Sequence, residues 1–151
     1  MGGSAEPKRL DRPPGERYVP PSVTASPPRE PSAARAIAYA VLVAIAGAVA
    51  MVLLAGQLAV SSGLLVVAVV VGRFVGLGLR TARGALTPGR ARLLAVLIAA
   101  GGVAAAQLGM WVYARSEGGV LELVDYLGQT FGPLVPLEIA LAAVVAVVSA
   151  D

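Results

Sequence analysis

Glu138 is the only acidic residue inside an apolar run of this chain, and Arg73 lies deep inside another. In hydrocarbon such groups need a partner. An ionised side chain at the bilayer centre costs about 2.5–3.5 kcal/mol on insertion scales. Glu138 falls about five residues into the last apolar run, nearer one surface than the middle. Gln107, on the preceding run, falls at a matching depth, so a Glu138–Gln107 hydrogen bond is expected. One reading makes Glu138 a proton or cation site, or a polar latch between helices. The other places it in the first helical turn after Pro136, where free N–H groups and the helix dipole favour negative charge.

Arg73 lies near the middle of the second run. Eleven Leu, Val and Phe residues between Leu64 and Leu79 surround it. They contribute roughly −3 to −7 kcal/mol, against about +3 kcal/mol for one arginine. The guanidinium either snorkels to headgroups beside Arg80 or faces a partner helix or an anionic ligand. Glu138 lies ~10 Å further along the membrane normal at 1.5 Å per residue, so a direct salt bridge is not the favoured reading.

Other chemistry is sparse. The chain has no cysteine and no histidine, which removes thiolate and imidazole nucleophiles, bases and metal ligands together. Ser61, Ser62 and Ser149 have no evident base at their depth. No catalytic residue, cofactor or metal is therefore expected, and the chain does not read as an enzyme. The net charge of +3 invites a nucleic-acid reading, but the basic residues gather where membrane topology alone explains them. Small residues recur four apart: Ala36, Ala40, Ala44 and Ala48; Gly72 and Gly76; Gly101, Ala105 and Gly109. Such stripes let membrane helices approach closely.

The elements that position these residues are four apolar segments, Ala36–Gly56, Leu58–Leu79, Ala91–Tyr113 and Leu134–Ala150. A hydrocarbon core of about 30 Å takes about 20 helical residues. The composition agrees: 57% hydrophobic and only 14% charged. The expected fold is an all-α membrane protein, a bundle of four transmembrane helices. Ser32 is the expected cap of the first, Ser61 or Ser62 of the second, and Thr87 before Pro88 starts the third. The last starts near Pro133 to Pro136. Between the third and fourth, Leu121, Val124, Leu127 and Phe131 recur at helical spacing, with Glu122, Asp125 and Gln129 on another face. This reads as a short interfacial helix or, equally, as a structured loop packed over the bundle. Residues 1–35 hold eight of the eleven prolines and little to bury, so a disordered, Pro/Arg-rich tail is expected, followed by the membrane domain over 36–151.

Lys8, Arg9, Arg12, Arg17, Arg29 and Arg35 mark the tail, and Arg80, Arg83, Arg90 and Arg92 the second turn. The first turn carries no basic residue. The third connection carries Arg115 against Glu117, Glu122 and Asp125. The positive-inside rule then puts both termini in the cytoplasm. Trp111, Tyr113 and Tyr126 fall at the outer interface and Tyr39 at the inner one.

Gly72-x-x-x-Gly76, the basic turn, Asp125-Tyr126-Leu127 and Phe131-Gly132-Pro133-Leu134-Val135-Pro136-Leu137 together resemble uncharacterised bacterial four-helix integral membrane proteins. The resemblance covers roughly residues 36–150. It implies the bacterial inner membrane, and no activity, cofactor or catalytic residue. The expected function is a non-enzymatic scaffold or small subunit of a membrane complex. Its partners would be membrane lipid and a membrane protein or a second copy, with no nucleic acid. The alternative is a small proton- or ion-coupled transporter using Glu138.

Overall fold

The computed structural model describes residues 32–58 and 62–151, apart from the side chains of Gln57, Leu58 and Ser62. The predicted tail up to Pro31 and the Ser61 or Ser62 cap lie outside the described residues. The described chain is helical: α1 (Ala33–Leu58), α2 (Ser62–Arg80), α3 (Pro88–Ser116), α4 (Leu123–Thr130) and α5 (Leu134–Ala150).

The boundaries follow local chemistry. At the start of α1 the Arg35 amide donates to Ser32 Oγ at 3.5 Å, the expected cap at its long limit. Thr87 stands at the N-cap of α3 with extended backbone and Pro88 in the first turn, though its hydroxyl makes no cap bond. Proline fits there because its missing N–H would have had no helical partner. Gly118, at φ 97°, ends α3, and the Gly119 amide closes back on the Ala114 carbonyl at 2.9 Å. Gly132, at φ 55°, ends α4, its amide on the Leu127 carbonyl at 2.9 Å. These are left-handed helix ends that a β-carbon would strain. Pro133 follows, and the chain turns by 87° into α5.

Contacts that a β-carbon would make at each glycine fix the helix directions. Gly47 of α1 abuts Val71 and Gly78 of α2 abuts Tyr39, so α1 and α2 are antiparallel. Gly102 and Gly109 of α3 abut Ala44 and Val52 of α1, so those two run parallel. Gly72 and Gly76 of α2 abut Ala142 and Ala146 of α5, again parallel. Around the bundle the order is α1, α2, α5, α3, with α5 packed on both α2 and α3, and α2 touching α3 across the middle.

The interior is built from small residues. Ala40, Ala68, Ala95, Ala99, Ala106, Ala142 and Ala146 are fully buried. Met51, Leu64, Val75, Leu79, Val103 and Met110 fill the space between them, while Leu42, Ile45, Val49, Val66, Phe74, Leu93, Leu97, Val144 and Val148 are exposed. Helices apolar on every side, with large residues also outside, suit lipid and not water. α1, α2 and α3 are long and apolar enough to cross a membrane. α5, at 17 residues, spans ~25 Å at 1.5 Å per residue, just under the ~30 Å core.

Two details depart from expectation. Gly101 and Ala105 face outward, and a β-carbon at Gly101 would meet nothing within 4 Å. The buried line of α3 is Ala95, Ala99, Val103, Ala106, Gln107 and Met110. α4 exists, but its inward face is Leu123, Tyr126 and Leu127, continued by Phe131, whereas Val124 is 79% exposed.

Candidate functional site

Glu138 lies on the inner line of α5 with Ala142, Ala146, Ser149 and Ala150. It is completely buried, and Gln107 of α3 is nearly so. Gln107 Nε2 donates to Glu138 Oε2 at 2.6 Å, as the matched depths predicted. In the parallel register set by Gly72 on Ala142, Ala68 of α2 falls level with Glu138. Pro136, in the first turn of α5, leaves Glu138 close to that helix's free amide end. The first turn of α5 holds no acidic residue, so the expected first-turn placement is not met, and Glu138 is held by the interhelical bond instead.

The pair is incompletely satisfied. Glu138 Oε1 and Gln107 Oε1 are both buried without a hydrogen-bond partner. Both are acceptors when the carboxyl is ionised, so no donor is left between them. A proton on the carboxyl supplies the missing donor and removes the charge, and a small cation between the two oxygens would do the same. No ion pair reaches Glu138 among the described residues, and no group of three or more acidic residues there is arranged for a metal.

Arg73 does not join this pair. Its Nη1 donates to Ser149 Oγ at 3.2 Å, across the α2–α5 contact. Ser149 packs beside Gly76, where a β-carbon would lie 2.6 Å from its own. The guanidinium therefore sits about one turn nearer the Arg80 end than the Arg73 backbone. Arg73 itself is exposed, and its guanidinium faces the neighbouring helix α5 at Ser149 and not Glu138. Sequence reasoning misses Ser149 as its partner. The available signal is a lone hydroxyl in an apolar run, which needs a partner in hydrocarbon.

Gly72 and Gly76 bring the backbones of α2 and α5 into contact, since a β-carbon at either would strike a main-chain carbonyl of α5. They position α5, and through it Glu138. Near the Ser116 end of α3, Trp111 Nε1 donates to the Leu121 carbonyl at 3.1 Å. The Arg115 guanidinium stacks 5.2 Å from the Trp111 ring centroid. Tyr126 and Phe131 meet edge to face at 5.9 Å. The Trp111 bond ties the segment before α4 to α3.

The chain matches no protein-family model, no curated protein and no solved structure.

Proposed function

We propose that this protein is a four-span integral membrane protein serving as a non-enzymatic scaffold or small subunit of a membrane complex. The observation that carries the reading is the buried polar pair, Glu138 and Gln107, bonded across α3 and α5 and shut off from solvent. A latch of this kind fixes helix positions, while the exposed apolar faces of α1, α2, α3 and α5 are left to lipid or to a partner helix. In this reading α5 is the fourth span and α4 lies along the interface, as the 87° bend between them favours. The arginines at residues 80–92 support a cytoplasmic turn and cytoplasmic termini under the positive-inside rule. The resemblance to bacterial four-helix membrane proteins supports the bacterial inner membrane.

A second reading, a small proton- or ion-coupled transporter, is favoured by one observation: the two partnerless oxygens of Glu138 and Gln107. Purification of the full chain in mild detergent separates the two. The first reading expects a stable membrane partner or a second copy to co-purify, and its repeated absence overturns it. The second expects a proton or cation flux in proteoliposomes that Glu138→Gln abolishes. A flux unchanged by that substitution removes Glu138 from any transport role.

A further inference from the structure

A cleft of about 790 Å³ opens at the end of the bundle opposite Glu138, between the α2–α3 turn and the last residues of α5. Its lining has two characters. Leu79, Ala82 and Leu86 form an apolar wall, and Arg83 and Arg92 bring charge, with Asp151 beside them. Leu79 and Ala82 are buried and continue the core, so the apolar wall is the last layer of the bundle. The guanidiniums are exposed, and Arg92 Nε donates to Asp151 Oδ1 at 2.8 Å. Arg80 and Arg90 stand on the same turn. Asp151 is the one acid among the described residues at this end, because Glu117, Glu122 and Asp125 lie at the opposite end.

We propose that this cleft binds the phosphate headgroup of an anionic phospholipid, with Arg83 and Arg92 as its ligands and Asp151 as an internal competitor. An arginine fork pairs with phosphate oxygens through parallel N–H bonds. Basic pockets between helix ends at a membrane surface recognise acidic headgroups in this way. Leu79, Ala82 and Leu86 meet the glycerol and first acyl carbons, which a free phosphate lacks. The Arg92–Asp151 bond occupies one guanidinium with a carboxylate, which a lipid phosphate displaces. An anionic lipid fits better than an acidic protein segment because the cleft opens where the apolar helices end, at the depth of a headgroup. The inference rests on the helices spanning a bilayer.

The test is native mass spectrometry of the full chain in detergent, titrated with phosphatidylglycerol, phosphatidylcholine or inorganic phosphate. Phosphatidylglycerol is expected to remain bound preferentially. Each of Arg83→Gln and Arg92→Gln is expected to weaken it about fivefold, from the attraction of one basic residue to an anionic membrane surface. Asp151→Asn is expected to tighten it, a gain that misfolding cannot mimic. Equal retention of the two lipids, or no change in Arg83→Gln and Arg92→Gln, overturns the proposal. So does inorganic phosphate competing as well as the lipid. A chain that stays monodisperse without detergent refutes the spanning reading itself, and a detergent-requiring chain with no lipid preference refutes only the cleft.

Discussion

Gln107→Leu leaves Glu138 Oε2 buried without its donor among the described residues, whereas Gln107→Leu with Glu138→Leu removes both polar partners together. Orphaning a buried group costs about 1–3 kcal/mol, while replacing both partners by apolar groups of similar shape is nearly neutral. Interhelical polar contacts in membranes average about 0.6 kcal/mol and reach about 1.7. Gln107→Leu alone is therefore expected to cost about 1–2 kcal/mol, and the double substitution to recover most of it. Unfolding in mixed micelles, followed by circular dichroism, measures both. Strictly additive costs would show that the two side chains are not coupled. The pair itself is legible in the amino-acid sequence, because residue counts from the helix ends set the two depths. Arg73 is only half legible there: its outward reach follows from the cost of burying a guanidinium, but its bond to Ser149 depends on how α2 and α5 are rotated.

At the scale of the element, the same spacing of small residues has two fates. Gly76→Ala places a methyl against the Ala146 carbonyl and within 2.6 Å of Ser149 Cβ. α5 cannot yield without shifting its backbone, so a loss of about 1–3 kcal/mol is expected, the usual cost of overpacking. Gly101→Ala meets nothing within 4 Å and is expected to be neutral, or stabilising by up to ~1 kcal/mol through helix propensity. Thermal unfolding of the two variants in one detergent tests the contrast, and equal destabilisation would contradict the helix rotations described above. Sequence spacing finds such stripes but cannot say which of them faces a neighbour. α4 makes the same point: its periodicity is readable in the residues, but the face that turns inward is Leu123, Tyr126 and Leu127 and not Val124.

At the scale of the molecule, α2 and α5 run together and α1 and α3 run opposite to them. The chain lacks native cysteine, so single substitutions report sidedness cleanly. With four spans, Ala85→Cys and Asp151→Cys label from one side of the membrane and Ser116→Cys from the other with an impermeant maleimide. If Ser116→Cys and Asp151→Cys label from the same side, α5 is a re-entrant segment.

The sequence by itself determined the apolar length of the described helices, where proline starts α3 and α5, and the matched positions of Gln107 and Glu138 along their helices. Those properties depend on the length of apolar runs, on backbone chemistry and on counting along a helix. Tertiary structure alone decided which faces meet: Gly76 against α5 but Gly101 outward, Arg73 on Ser149, and Asp151 drawn to Arg92. A helix that is apolar on every side carries little amphipathic signal to set its rotation. Close packing of small residues sets it instead, and that depends on all the neighbouring helices together.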